Sequence, residues 1–133
     1  MSTYKIVFDG GSRGNPGPSY GSYVLQEHGK PPVRPVRLEF GQATNNEAEY
    51  ITLIAALENL LSILDAQEQS SARVALEIKG DSQLVIKQLQ GEWKAKNARL
   101  RALRDRVHNL LMHFKKVDLS HQRREESVEI LGH

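Results

Sequence analysis

Three acidic residues form the most chemically informative set in this sequence. Asp9 ends an alternating apolar segment, Glu49 lies near the start of a long helical segment, and Asp81 follows Gly80 after a short apolar strand. Divalent cations such as Mg²⁺ are bound by carboxylate oxygens, and phosphodiester hydrolysis with two such ions needs several carboxylates converging within about 4 Å. The predicted elements would therefore have to bring these acids to one point.

Helical geometry separates Glu49 from Glu47. Thr44 with Glu47 three residues later is a capping box, which predicts a helix over residues 44–65. Two residues along a helix correspond to about 200° of rotation, so the two glutamates face different ways. Glu49 heads an apolar stripe, which consists of Leu53, Ala56, Leu57, Leu60 and Leu64. We predict that Glu47 caps the helix and that Glu49 points inward, where a carboxylate is costly unless a cation meets it.

Asp9 and Asp81 each have an ordinary structural alternative. Asp9 ends a strand, where a turn-starting aspartate is common. Asp81 begins a helix, where aspartate frequently serves as the N-cap. Taken singly, either residue fits both interpretations. All three acids nevertheless lie at the ends or faces of two adjacent strands and their connecting helix, so they can meet beside the middle of the sheet.

Apolar periodicity predicts a mixed sheet flanked by helices. The predicted strands are 4–9, 20–26, 33–40, 73–79 and 115–119, and the predicted helices are 44–65, 82–89, 97–113 and 124 onward. The first three strands predict an antiparallel meander, and the first and fourth are expected to be parallel neighbours through a right-handed crossover. Residues 10–18 are rich in glycine and proline, which predicts a loop that contains a turn.

The composition indicates one small domain with a basic C-terminal region. A chain of 133 residues with 39% hydrophobic residues can bury one core, so we expect a single domain over 1–133. No apolar run approaches the roughly 18 residues needed to span a bilayer, there is no apolar signal segment, and there is no cysteine. We therefore expect a cytoplasmic protein without membrane contact. Residues 94–124 carry ten Lys and Arg against two acids, which favours either a solvated helix face or a polyanionic partner.

Three segments resemble, in order and spacing, the motifs of the ribonuclease H type 1 family. They are residues 9–18 (Asp-Gly-Gly-Ser-Arg-Gly-Asn-Pro-Gly-Pro), 44–50 (Thr-Asn-Asn-Glu-Ala-Glu-Tyr) and 80–85 (Gly-Asp-Ser-Gln-Leu-Val). The resemblance covers nearly the whole chain, and residues 91–97 are similar to the linkage of prokaryotic members that lack the basic protrusion. It implies an α/β, ribonuclease H-like fold: a five-stranded mixed sheet of order 3-2-1-4-5 flanked by helices, the last of them short.

The resemblance also implies an activity. Family members are endonucleases that hydrolyse the RNA strand of RNA–DNA hybrids, giving 5′-phosphate and 3′-hydroxyl ends. By motif matching, Asp9, Glu49 and Asp81 would bind two Mg²⁺ or Mn²⁺ ions. No obligate protein partner is evident, and we expect a monomer.

The same matching implies substrate contacts. Amide side chains both donate and accept hydrogen bonds, which suits the minor groove and the ribose 2′-hydroxyl. The residues that match the family's minor-groove contacts are Asn15, Asn46 and Gln83. Thr44 and Asn45 match the residues that contact a phosphate of the DNA strand. Asn15 and Asn45 are also ordinary turn residues, and Gln83 an ordinary first-turn residue. Trp93, the only tryptophan, would pack either on a sugar of the DNA strand or in the core.

The C-terminal segment departs from the family pattern at the fourth acid. Without gaps, Leu131 takes the position of that acid and the site is one ligand short. With a loop two residues shorter, Glu129 takes it, and we prefer this register because it also aligns the apolar residues. Glutamate is one methylene longer than aspartate, so slower turnover or a preference for Mn²⁺ is expected. His121 matches the family's mobile histidine, or is a structural or solvated one.

Two other functions fit the pattern less completely. One is a non-catalytic or weakly active hybrid-binding module that has lost the fourth acid. The other is a different nuclease of the same fold, such as a resolvase or integrase core. The paired asparagines after Thr44 and the Gly-Asn-Pro-Gly-Pro loop argue against the latter.

Overall fold

A five-stranded mixed sheet carries helices on both of its faces in the computed structural model, which describes residues 2–132. The elements are β1 Ser2–Ser12, β2 Gly17–Glu27, β3 Val36–Ala43, α1 Asn45–Ala66, β4 Val74–Gly80, α2 Gln83–Leu89, α3 Ala98–Leu111, β5 Lys116–His121 and α4 Arg124–Leu131, with a 3₁₀ turn at Ser71–Arg73. The strand order is β3-β2-β1-β4-β5, with β1–β3 antiparallel and β1, β4 and β5 parallel. The predicted sheet order, meander, crossover and short last helix are confirmed.

Two apolar clusters hold the layers together. The larger lies between the sheet and α1, α2 and α3, and it contains every apolar member of the predicted α1 stripe. The smaller lies on the opposite face, where Leu131 of α4 packs with Val7 and Val24. Val7 is therefore buried as well, because α4 covers the face of β1 opposite to α1. None of the helices within residues 2–132 is long and apolar enough to cross a membrane.

The predicted loop at residues 10–18 is wrong for most of its length. β1 continues through Ser12 and β2 begins at Gly17, so only residues 13–16 form the turn. Gly14, with a φ of 94°, belongs to this turn, whereas Gly10 serves the close packing of backbones. A Cβ atom on Gly10 would lie 2.6 Å from the carbonyl oxygen of Ala48, at the start of α1. Glycine thus lets α1 approach β1 where the strand passes beneath its first turns.

The third strand begins later than predicted. β3 starts at Val36 rather than at residue 33. Pro35 precedes it, and proline offers no backbone N–H to the ladder, which explains why pairing starts one residue after it. The other boundaries differ from the predicted ones by at most three residues.

Candidate active site

The structure brings Asp9, Glu49 and Asp81 together. One carboxylate oxygen from each lies within 4.8 Å of the others. Asp9 lies on β1 and Glu49 in the second turn of α1, exposed by only 8% and 7%, and the Asp81 side chain is exposed by 7%. Parallel pairing places Gly80, the last residue of β4, opposite Phe8, so Asp81 follows beside Asp9. The close approach of α1 at Gly10 brings Glu49 near both aspartates. We refer to these three residues as the carboxylate cluster.

Neither structural alternative for the two aspartates describes the fold. Asp9 lies inside β1, paired with Ser22 of β2, so it does not begin a turn. Ser82, not Asp81, caps α2, because its side chain accepts a hydrogen bond from the backbone N–H of Val85. Asp81 therefore has no capping role, and its side chain enters the cluster instead.

Glu47 behaves as the predicted cap. Its Oε1 accepts from the backbone N–H of Thr44 at 2.8 Å, and the Thr44 hydroxyl accepts from the backbone N–H of Glu47. Its Oε2 lies 3.2 Å from Nε of Arg99. The hydrogen bond from the Thr44 backbone, followed by the Thr44 hydroxyl and Arg99, lowers the pKa of Glu47. One glutamate of α1 is thus fully partnered, and the one two residues later faces other acids.

The oxygens of the carboxylate cluster are incompletely hydrogen-bonded. Glu49 Oε2 and Asp81 Oδ2 are buried without a hydrogen-bond partner among residues 2–132. Burial, and then the charges of Asp9 and Asp81, raise the pKa of Glu49 well above its usual range. Burial and the neighbouring Asp9 likewise raise the pKa of Asp81. Orphaned oxygens on converging acids are the donor set that hard divalent cations prefer, so these residues fit such an ion.

Arg124, at the start of α4, forms an ion pair with the carboxylate cluster. Its Nη1 lies 3.9 Å from Asp81 Oδ2, and its side chain is 75% exposed. The guanidinium lowers the pKa of Asp81, but burial and Asp9 outweigh it. Sequence reasoning took Arg124 as one of the basic residues and as the start of the last helix, and gave it no role at the site. Its position three residues after β5 was the available signal, because α4 has to return over the sheet close to the cluster.

His121 and Glu129 occupy different places relative to the cluster. His121 ends β5, and its Nε2 lies 3.1 Å from the backbone oxygen of Asp81, to which it can only donate. It is therefore held beside the cluster. Glu129 is exposed on α4 and is not among the carboxylates that converge. Leu131, the other candidate for the fourth position, is buried against the sheet.

The two asparagines near the start of α1 have fixed amide orientations. The backbone N–H of Ser12 donates to Asn45 Oδ1 at 2.8 Å, and the backbone N–H of Asn45 donates to Asn15 Oδ1 at 3.0 Å. A backbone N–H can bond only to the oxygen of an amide, so each side chain turns its NH₂ group away from these bonds. Asn15 therefore presents its NH₂ donors outward, whereas the motif match predicts that it both donates and accepts. Asn45, expected at a DNA phosphate, likewise presents its NH₂ group.

The remaining predicted substrate residues lie on α1, on α2 and in the connection between α2 and α3. Asn46 lies in the first turn of α1, and exposed Gln83 begins α2. Trp93 is 44% exposed between α2 and α3, so it is not a core residue. The connection that contains Trp93 is fixed to α2 by buried Gln88, whose side-chain amide donates to the backbone oxygen of Lys94. Sequence reasoning missed Gln88, whose place on the buried side of α2 was the available signal.

Comparisons with known proteins agree on the family. A family model described as Reverse transcriptase-like matches residues 36–129. The crystal structure of RNase H1 from the halophilic archaeon Halobacterium salinarum superimposes with a TM-score of 0.82 at 38% identity, covering 94% of this chain and 89% of that one. The chain belongs to the ribonuclease H type 1 family. As in members without the basic protrusion, only residues 90–97 join α2 to α3.

Other relatives differ in length and in what their names state. The curated Ribonuclease HI of Halobacterium salinarum is 41% identical over 114 residues, which is 86% of this chain. This chain spans 53% of that relative's length. A bifunctional protein of Mycobacterium tuberculosis is 37% identical over 114 residues, and this chain spans 29% of its length. LC11-RNase H1, solved in complex with an RNA/DNA hybrid, matches with a TM-score of 0.82 at 31% identity, over 95% of this chain and 89% of that one.

Proposed function

We propose that this protein is an endonuclease that hydrolyses the RNA strand of RNA–DNA hybrids. The observation that carries the proposal is the convergence of Asp9, Glu49 and Asp81, in which Glu49 Oε2 and Asp81 Oδ2 are buried without a hydrogen-bond partner among residues 2–132. Membership of the ribonuclease H type 1 family supports the reaction, and the hybrid bound by LC11-RNase H1 supports the substrate.

The metal ions of the proposal are two Mg²⁺ or Mn²⁺. Asp9, Glu49 and Asp81 would hold them, because their oxygens converge in a buried site. When bound, the ions supply an activated water and stabilise the departing 3′ oxygen, which yields 5′-phosphate and 3′-hydroxyl ends. Glu129 as a fourth ligand and His121 as an aid to product or proton movement belong to the same proposal. If Glu129→Gln cleaved as fast as the unmodified protein, the fourth-ligand assignment would be abandoned.

Substrate binding uses the groups around the cluster. The minor groove presents acceptors on its base edges, and the NH₂ group of Asn15 is a suitable donor. The backbone N–H groups of Thr44 and Asn45 are already bonded, so the Thr44 hydroxyl and the Asn45 NH₂ group are the donors proposed for a phosphate of the DNA strand. Exposed Trp93 would contact a sugar of that strand. Asn46 and Gln83 complete the minor-groove contacts in this proposal.

A hybrid-cleavage assay with two matched glutamate variants tests the function. A 5′-labelled RNA strand annealed to DNA is incubated with Mg²⁺ or Mn²⁺, and product ends are identified by their sensitivity to phosphatase. The unmodified protein is expected to cut the RNA strand of the hybrid and to leave a DNA duplex uncut. Glu49→Gln is expected to lose cleavage, whereas Glu47→Gln, on the same helix, should retain it. Equal activity of the two variants would contradict the assignment.

A non-catalytic hybrid-binding module is the second candidate function. The observation that favours it is that Glu129 is exposed and outside the cluster. It predicts binding of the hybrid that weakens with salt, with no cleavage under either metal. The same assay, combined with a gel-shift measurement, separates the two candidates. A monomeric state and a cytoplasmic location complete the proposal, and size-exclusion chromatography with light scattering tests the first.

A further inference from the structure

The sheet face that carries Asp9 continues away from the carboxylate cluster as a polar surface. Cross-strand pairs in an antiparallel sheet project to the same face, and so do residues two apart on one strand. Two rows therefore run side by side from β1 to β3 on the face opposite to α1. The rows are Asp9, Ser22 and Arg37, and Gly11, Tyr20 and Glu39.

A hollow of about 450 Å³ lies over these rows. We name it the Tyr20 hollow, and it is lined chiefly by Arg13, Tyr20, Ser22, Arg37 and Glu39. A second hollow of about 220 Å³ lies on the other side of Tyr20 and shares Arg13 and Glu39. Tyr20 thus separates two open spaces, and 42% of it is exposed.

Gly11 determines how the Tyr20 ring lies. A Cβ atom at Gly11 would be 2.7 Å from the Tyr20 hydroxyl. The absence of a side chain there lets the ring lie across β1, two residues beyond Asp9. Tyr20 lies on the strand next to that of Asp9, which is a separation of about 5 Å across the sheet. It also lies two residues further along the strand direction, which adds about 7 Å. A nucleotide next to one bound at the carboxylate cluster can reach it.

The charges around the Tyr20 hollow favour a polyanion. Arg13 and Arg37 bring two positive charges, and Glu39 brings one negative charge. The Arg37 Nη2 donates to the backbone oxygen of Leu131 at 3.1 Å, at the C-terminal end of α4. This bond holds the guanidinium at the rim of the hollow. An aromatic face with arginines beside it is the arrangement that binds single-stranded nucleic acid, with bases on the ring and phosphates on the cations.

We propose that the Tyr20 hollow binds an unpaired segment of the RNA strand next to the hybrid, with a base on the Tyr20 ring. This inference rests on the proposed function. The strand whose phosphate lies at the carboxylate cluster is the strand to be cut, so the nucleotides that continue toward Tyr20 belong to the RNA. A base within the duplex is already stacked on its neighbours, whereas an unpaired base is free to stack on an aromatic ring.

Binding measurements with overhangs test the inference. Fluorescence anisotropy is recorded for a blunt hybrid, and for the same hybrid with four unpaired nucleotides on the RNA at its 5′ end, on the RNA at its 3′ end, or on the DNA. Asp9→Asn serves as the background that prevents cleavage. One of the two RNA overhangs is expected to tighten binding about fivefold or more, in line with the stacking of one base on an aromatic side chain. The DNA overhangs should have a smaller effect.

Substitutions of Tyr20 assign the gain to the ring. Tyr20→Ala is expected to remove the gain and leave the affinity for the blunt hybrid unchanged, whereas Tyr20→Phe should keep it. Glu39→Gln should increase the gain, because it removes the one negative charge of the hollow. Melting curves of the variants establish that they are folded.

Two outcomes would overturn the inference: no gain from either RNA overhang, or a gain that survives Tyr20→Ala. Cleavage of the blunt hybrid by the unmodified protein is measured in parallel. If the blunt hybrid is cut and the overhang has no effect, only the Tyr20 assignment fails. If no hybrid is cut under either metal, the proposed function fails first.

Discussion

Glu49 and Glu47 lie two residues apart on one helix, and their conversion to glutamine is expected to change stability in opposite directions. Glu49 is 7% exposed, and its Oε2 has no hydrogen-bond partner among residues 2–132. An unsatisfied buried polar group costs about 1–3 kcal/mol, more when it is charged. Glu49→Gln removes the charge and supplies donors to the neighbouring carboxylates, so it should stabilise the metal-free protein by about 1–3 kcal/mol.

The expected change in the free energy of unfolding corresponds to a change in Tm that a melting experiment can measure. An unfolding entropy of about 2.1 cal/mol/K per residue gives about 0.28 kcal/mol/K for 133 residues. Glu49→Gln should therefore raise Tm in EDTA at pH 8 by about 4 to 11 °C. Glu47→Gln should leave Tm unchanged or lower it, because the Glu47 charge has Thr44 and Arg99 as partners. Mg²⁺ should raise the Tm of the unmodified protein and have little effect on Glu49→Gln.

The pH dependence of this difference has a definite sign. The pKa of Glu49 is raised in the folded protein, so the folded state binds this proton more tightly than the unfolded state. Its destabilising contribution is therefore absent at a pH below the unfolded pKa of about 4.3, and complete only above the raised pKa. The advantage of Glu49→Gln should shrink as the pH falls toward 4. A lower Tm for Glu49→Gln in EDTA at pH 8 would refute this account of Glu49 as an uncompensated buried carboxylate.

Three further outcomes are expected. Gly10→Ala should lower the free energy of unfolding by about 1–3 kcal/mol in urea denaturation, because its Cβ would meet the α1 backbone, and it should lower cleavage as well. Gly41→Ala is the control: the space around Gly41 is open, so its free energy of unfolding should change by no more than about 0.5 kcal/mol. Gln88→Leu should cost about 1–3 kcal/mol in the same assay, because the buried Tyr50 hydroxyl loses its acceptor at 2.7 Å; Tyr50→Phe in that background should restore part of the loss. Raising NaCl from about 50 to about 200 mM should weaken hybrid binding about fortyfold if about three phosphate contacts are made, as measured by anisotropy; a flat salt response would argue against phosphate contacts.

Much of the fold and the main feature of the site follow from local sequence. The capping box at Thr44 and the apolar stripe are set by residues within one helix, and they distinguish Glu49 from Glu47 without any distant contact. Alternating and helical periods likewise mark the elements in their order. The family motifs then imply how the strands are arranged in the sheet. These features are predictable because each depends on neighbours in the chain or on a pattern within one element.

Other features depend on residues far apart in the chain, and only the tertiary structure decides them. β1 extends through Gly10 because α1 packs closely on it, although the local composition predicts a loop. Ser82 takes the capping role that Asp81 was equally suited to take, and this leaves Asp81 for the cluster. The local sequence allows both choices with little difference in energy. Packing across the sheet selects between them.

The difference between what the sequence determines and what packing decides is clearest at Asp9, Glu49 and Asp81. Their identities and the inward direction of Glu49 can be derived from the chain alone. Their approach to within 4.8 Å of one another, the ion pair of Arg124 with Asp81 and the position of Glu129 outside the cluster come from how β1, β4, α1 and α4 pack. The sequence by itself determined which residues have the chemistry. The tertiary structure decided which of them meet, because burial and charge depend on distances between segments that the order of residues does not specify.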